Sequence, residues 1–156
     1  MEVAFFLHHI NLEVEMEKTS LYAFIALRGE EFADYPLKMV TEHMGIQPTQ
    51  TWKLGERVHP NKSNNPLERT NTCWKYKTDK IETVDSEDVL LPILEVFQSK
   101  EAVINQLKKK FNLEVSLVVV SEVYNGEMPA LVLHPEFSKF LASIDARLEF
   151  DTYVFS

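Results

Sequence analysis

Cysteine is almost missing from this chain, which has Cys73 as its one cysteine among 156 residues. An internal disulfide therefore cannot form, and a zinc site built from several thiolates is excluded. Chains that do without disulfides are typical of reducing compartments, so we expect a cytoplasmic protein. Glycine is also scarce, with four residues. None lies in a Gly-x-Gly-x-x-Gly or phosphate-loop pattern, so the two commonest backbone cradles for nucleotides are absent.

Long apolar runs are missing as well. No stretch of the sequence approaches the roughly 20 apolar residues that a membrane-spanning helix needs. The apolar residues 3–7 follow Glu2 rather than a basic stretch, and His8 and His9 end them at once. We therefore expect neither a signal peptide nor a membrane protein.

Positive charge is in short supply. The chain has 16 Lys plus Arg against 24 Asp plus Glu, and its formal net charge is -8. This charge repels phosphate backbones, which disfavours nucleic-acid binding and favours a basic protein partner. The one dense cationic run, residues 108–110, falls where the last turn of a helix is expected, and there it complements the helix dipole.

The sequence contains no recognisable catalytic or metal-binding pattern. Its five histidines show no His-x-x-x-His or His-Glu-x-x-His spacing, and there is no Gly-x-Ser-x-Gly elbow. Cys73, which is next to Trp74 in a predicted strand, is interpreted as a small buried apolar residue. We therefore predict no catalytic residue, no metal site and no cofactor.

Periodic apolar residues predict both strands and helices. Alternation predicts strands at residues 19–28, 72–78, 113–123 and 148–155, and residues 46–57 are expected to be extended. Helices are predicted from Pro36 to Gly45, after a cap at Asp85 or Ser86, after a cap at Ser99, and from Pro135 onward. Pro92 must either kink the second helix or lie in its first turn.

These elements predict one α+β domain over residues 1–156, of which residues 1–15 are an extra edge strand or a flexible extension. Residues 19–57 and 113–156 both have the order strand, helix, strand, which indicates a weak internal duplication. We predict a single mixed or antiparallel sheet with helices packed mainly on one face, as a ferredoxin-like repeat of strand-helix-strand units.

The densest polar and aromatic stretch is residues 45–57, which Trp74 follows downstream. An indole flanked by cations can form a stacking floor for an anionic or planar ligand or a partner's hot spot. Residues 58–71, which have almost nothing to bury, are the candidate lid. Alternatively, Trp52 and Trp74 pair across two strands and close one end of the core. The candidate binding residues are Thr49, Trp52, Lys53, Arg57 and Trp74.

The same stretch carries a family resemblance. Gly45-Ile46, Pro48-Thr49, Trp52 and Gly55-Glu56, followed by Trp74, resemble the bacterial family called domain of unknown function 4279. The resemblance extends from about residue 18 to the C-terminus. It implies a small α+β fold in a bacterial cytoplasmic protein, and it brings no established reaction or catalytic residue.

Two classes of function remain as hypotheses. The first is a non-enzymatic binding or interaction module, such as an immunity-like inhibitor of a basic partner protein, because the chain is small and acidic and lacks an active-site pattern. The alternative is a small-molecule-binding or enzymatic domain that uses Trp52, Arg57 and Trp74. Pairing of exposed strand edges into a homo-oligomer is left open by the sequence.

Overall fold

The computed structural model of the chain describes residues 15–58 and 67–156, and in these residues six strands form a single mixed sheet. The strands and helices follow one another in the order β1 Ser20–Arg28, α1 Leu37–Met44, β2 Gln50–Trp52, β3 Cys73–Lys77, β4 Ile81–Glu82, α2 Glu87–Phe97, a 3₁₀ turn Gln98–Lys100, α3 Glu101–Phe111, β5 Glu114–Tyr124, α4 Pro135–Ser143 and β6 Arg147–Phe155.

The sheet has the strand order β2-β3-β1-β5-β6, and the short β4 pairs with the beginning of β1. Strand β1 is antiparallel to β3, β4 and β5, whereas β5 and β6 are parallel. The two central strands, β1 and β5, are apolar on both faces, as strands that are covered on both sides usually are.

The main hydrophobic core lies on one face of the sheet. Leu21, Ile25 and Leu27 of β1 pack there together with buried residues from all four α-helices. The other face carries a smaller apolar cluster of Phe24, Ala26, Cys73, Val118 and Val120. The prediction of an α+β fold with one mixed sheet and its helices on one face is therefore confirmed.

Helix ends follow the predicted signals in most cases. Gly45 ends α1 in the left-handed conformation with a φ of 66°, and Pro135 occupies the first turn of α4. Asp85 caps α2, since its Oδ1 accepts the N–H of Glu87 at 2.9 Å. Ser86 Oγ instead exchanges hydrogen bonds with the backbone of Val132. The predicted Ser99 cap is wrong, because Ser99 lies inside the 3₁₀ turn and Lys100 precedes α3.

Pro92 lies inside α2 rather than in its first turn. Residues 46–57 contain only the short strand β2, and β4 was not predicted.

The two strand-helix-strand units differ in pairing: β5 and β6 are neighbours, whereas β3 lies between β1 and β2. The ferredoxin-like repeat stays a prediction, as does the single domain over residues 1–156. The interpretation of residues 1–15 as an edge strand or extension falls almost wholly on residues 1–14, outside the described residues.

Candidate functional site

The candidate site lies on the face of the sheet that points away from the four helices, which we call the back face. Because side chains alternate along each strand, the register places Trp52, Cys73, Arg28 and Glu114 in one row across four strands of this face. The next row contains Gln50, Lys75, Ala26 and Ser116, followed by a row of Lys77, Phe24 and Val118. Neighbouring strands are about 4.8 Å apart, so Trp52 and Arg28 are about 10 Å apart across the sheet.

Three cations of the back face lie over aromatic rings. The distances from the charged group to the ring centroid are 4.2 Å for Arg69 over Trp52, 3.7 Å for Lys75 over Phe24 and 4.2 Å for Lys77 over Tyr22. A cation within about 6 Å of a ring face is attracted by the ring's quadrupole. We call Arg28, Arg69, Lys75 and Lys77, with these rings, the cationic patch.

No described carboxylate neutralises the cationic patch. In the described part of the chain, none of its four cations is within 4.0 Å of an Asp or Glu oxygen. Glu114, which is opposite Arg28 in the register, pairs with Arg147 at 2.6 Å instead. Burial lowers the pKa of Lys75, and the neighbouring cations lower it further. The patch is thus a cluster of like charges.

Two polar atoms on this face are buried without a hydrogen-bond partner. They are Nε of Arg28 and Oγ of Ser116, as judged from the residues that the structure describes. Arg28 and Ser116 are diagonal neighbours on β1 and β5, since Ser116 is opposite Ala26. A buried polar atom without a partner costs about 1–3 kcal/mol. The back face therefore keeps unused hydrogen-bonding capacity beside its cations.

Trp52 is half-buried at the end of β2. Its Nε1–H donates to Oδ1 of Asn71 at 3.3 Å, and the Arg69 guanidinium covers part of the ring. Arg69 is placed there by a short antiparallel ladder. Gly55 N–H donates to the carbonyl of Arg69, and Arg69 N–H donates to the carbonyl of Glu56.

The candidate lid at residues 58–71 begins and ends in this ladder. Val58 N–H donates to the carbonyl of Leu67 at 2.8 Å, and Arg57 and Glu68 form a β-bridge. Residues 59–66 lie outside the described residues, so the lid hypothesis stays a prediction.

The other predicted site residues near Trp52 are exposed. Thr49 joins β2 to β3, because its Oγ1 accepts the N–H of Lys77 at 2.9 Å. Lys53 Nζ is 3.6 Å from a carboxylate oxygen of Asp34, and Arg57 belongs to the ladder. These three residues surround Trp52 along the chain, next to the cationic patch.

Trp74 is not part of this surface. The register pairs it with Thr51, whereas Trp52 pairs with Cys73, so the two indoles point to opposite faces of the sheet. Trp74 is completely buried, donates from Nε1 to Oγ1 of Thr41 at 3.0 Å, and meets Phe97 edge to face. The structure also does not pair the two tryptophans across strands, as the alternative interpretation had it.

Sequence reasoning missed Arg28, Arg69, Lys75 and Lys77. A usable signal was present in β3, where Lys75 and Lys77 alternate with Trp74 and Tyr76. Such alternation indicates that the two lysines share a face. The convergence with Arg28 and Arg69 had no local signal, because it depends on strand pairing.

The one cysteine of the chain lies within the candidate site. Cys73 is completely buried in the middle of the patch, and burial raises the pKa of its thiol to about 11, although Arg28 and Lys75 act in the opposite direction. Among the described residues, no group of three or more His, Cys, Asp or Glu side chains could hold a metal ion. No described helix is long and apolar enough to cross a membrane.

Fold and site together define a small α+β protein with one mixed sheet and a cationic, aromatic back face. The chain belongs to the family described as domain of unknown function (DUF4279), whose profile matches residues 18–155. This match confirms the resemblance found in the sequence. Comparison with curated proteins and with solved structures gives no match.

Proposed function

We propose that this protein is a non-enzymatic binding module whose cationic patch binds an anionic group of a ligand or partner. The observation that carries the proposal is the lack of a described carboxylate within 4.0 Å of Arg28, Arg69, Lys75 and Lys77. Like charges on neighbouring strands repel one another, and an anion bound between them removes that repulsion.

The patch combines two kinds of contact. The ammonium groups of Lys75 and Lys77 supply charge, and Trp52 supplies a half-buried indole next to Arg69. Charge-assisted hydrogen bonds to an anion are about twice as strong as neutral ones. An anionic group is therefore the best match, because its charge can meet the ammonium groups and the Arg69 guanidinium that covers part of the Trp52 ring.

The anionic partner of this proposal is opposite in charge to the basic partner that the net charge of the chain favours. A chain with a net charge of -8 favours basic partners on average, but a cation cluster sets the local field at the patch. A basic partner protein remains the second candidate. Its support is the acidic side of the same back face, where Glu122, Glu149 and Asp151 lie on β5 and β6. The immunity-like inhibitor belongs to this second candidate.

A third reading, a small-molecule-binding or enzymatic domain, rests on Trp52 and Arg57 alone, because Trp74 is buried on the helical side. A cytoplasmic location in a bacterial cell is part of the proposal and is supported by the single, buried cysteine.

Thermal-shift titration of the full chain tests the leading proposal, with inorganic pyrophosphate, ATP and poly-L-glutamate as anionic probes and poly-L-lysine as the basic one. We expect at least one anionic probe to raise the melting temperature, because ligands that bind only the folded state stabilise it. The Lys75→Gln and Arg69→Ala variants should lose that rise.

The matched control is Lys109→Gln, which removes one exposed positive charge from α3. It should keep the full response to the anion. No response to any anionic probe, or an equal loss in Lys109→Gln, contradicts the proposal. A response to poly-L-lysine that Asp151→Asn removes would support the second candidate instead.

A further inference from the structure

The C-terminal strand β6 forms one edge of the sheet, and among the described residues β5 is its one neighbouring strand. It is nine residues long. Its large apolar side chains are unusually open to solvent: Phe150 is 40% exposed, Tyr153 55%, Val154 67% and Phe155 44%. A long edge strand with exposed apolar side chains is a template for pairing with another chain.

Edge strands usually carry charged side chains that oppose pairing with another chain, and in β6 such side chains are confined to the first half of the strand. Arg147, Glu149 and Asp151 supply charge there, but residues 152–155 contain no charge, no proline and no glycine. Natural sheets use charges, prolines or bulges to keep such edges from pairing with another chain. The second half of β6 has none of the sequence features that block a partner.

We propose that β6 pairs antiparallel with β6 of a second copy, around a twofold axis at Thr152. With the axis perpendicular to the sheet, Phe150 of each copy is opposite Val154 of the other, and Asp151 is opposite Tyr153. Glu149 is then opposite Phe155. Thr152 is opposite its own copy on the axis, and no directly opposed pair joins two like charges.

Twofold axes at the neighbouring residues give less favourable pairs of opposed side chains. A twofold axis at Phe150 sets Glu149 opposite Asp151 twice, and an axis at Asp151 sets two Asp151 carboxylates opposite each other. Directly opposed like charges destabilise a strand pair. An axis at Tyr153 sets Phe150 opposite the polar Ser156, which lies past the end of β6, and sets Asp151 opposite Phe155. Charge and apolar matching both favour Thr152 as the centre.

Phe150 and Val154 are on the helical side of the sheet, since the register pairs them with Val119 and Val123 of β5, the first of which lies in the main core. In the dimer, both residues from each copy form an apolar cluster across the axis. A strand pair of this kind buries less than the roughly 1,200–2,000 Å² of stable interfaces, so we expect a concentration-dependent dimer.

Sedimentation velocity of the full chain over a wide concentration range measures this equilibrium. Val154→Lys should weaken the dimer more than about tenfold, because each copy then sets a lysine against Phe150 of the other. Tyr153→Lys is the matched control at the adjacent position. It sets a lysine opposite Asp151 and should keep or strengthen the dimer.

A chain that stays monomeric at every concentration overturns the proposal, as does a dimer that Val154→Lys leaves unchanged. Circular dichroism and thermal melting establish whether both variants fold. We expect that they do, because the side chains at positions 153 and 154 are exposed.

Oxidative cross-linking tests the register separately. Thr152→Cys sets the two new thiols opposite each other on the axis, within reach of a disulfide. Glu149→Cys sets them six residues apart along the paired strands, roughly 20 Å, so it should not cross-link. The native Cys73 is completely buried and does not interfere. Equal cross-linking of both variants, or none in Thr152→Cys, contradicts the register.

Discussion

Trp52 and Trp74 belong to adjacent paired strands, yet their indoles are on opposite faces of the sheet. Thr51 is opposite Trp74, and Trp52 is opposite Cys73. Side chains alternate along a strand, and Trp52 is one residue past the partner of Trp74 on β2. The indole of Trp74 therefore lies in the core, and the indole of Trp52 lies in the cationic patch. The two tryptophans therefore differ in what they do for the protein.

Replacing each tryptophan by alanine should affect stability unequally. Trp74→Ala removes a completely buried side chain and its hydrogen bond to Thr41, and we expect it to lower the free energy of unfolding by about 3–5 kcal/mol. Trp52→Ala loses a half-buried ring and the Arg69 contact, and should cost about 1 kcal/mol. Urea denaturation measures both. Acrylamide quenching of the single-tryptophan variants is an independent check, and equal quenching of Trp52 and Trp74 would contradict the assignment.

The thiol of Cys73 should be nearly inert in the folded protein. Burial raises its pKa to about 11, so roughly one thiol in a thousand is ionised at pH 8. We expect iodoacetamide to react at least about a hundredfold more slowly with the native chain than with the urea-unfolded chain. Mass spectrometry of timed samples measures both rates. An exposed thiol introduced on α3, Ala102→Cys, serves as the accessible reference, and similar rates at the two positions would show that Cys73 is reachable.

Acid should weaken the link between Asp34 and Thr72, the residue that precedes β3. The Thr72 hydroxyl, at 2.5 Å, holds the pKa of the Asp34 carboxyl below its usual value. A group whose pKa is lower in the folded state stabilises the fold above its unfolded pKa of about 3.9, and this contribution is lost as the pH falls through the folded value.

Asp34→Asn should therefore make stability less dependent on pH below about 4, as measured by urea denaturation at a series of pH values. Glu95→Gln, on the exposed side of α2, corrects for the loss of one negative charge. Identical acid dependence in Asp34→Asn and the original chain would mean that this hydrogen bond does not contribute.

Most helices and strands could be predicted because their signals are local. The alternation around Val115, Leu117 and Val119 is that of β5, and Pro135 with Phe137 and Phe140 marks α4. Strand β4 escaped prediction because two residues cannot show a period. The Ser99 cap failed because a 3₁₀ turn fills the gap between α2 and α3.

The candidate site was predicted only around Trp52. Lys53 and Arg57 were predicted because they are close to Trp52 along the chain. The one dense cationic run, which includes Lys109 and Lys110, lies at the end of α3 and complements its dipole. The four cations of the cationic patch are instead dispersed between positions 28 and 77. No window of sequence contains them together.

The sequence by itself determined the α+β class, the family and most element boundaries, because periodicity, capping residues and glycine conformations act within a few residues of one another. Only the tertiary structure decided which strands are neighbours. The β1-β3 pairing brings Arg28 beside Cys73 across 45 positions of chain, and the β2-β3 register turns Trp52 and Trp74 to opposite faces. Both depend on long-range hydrogen bonding and on burial of one face, which no local pattern encodes.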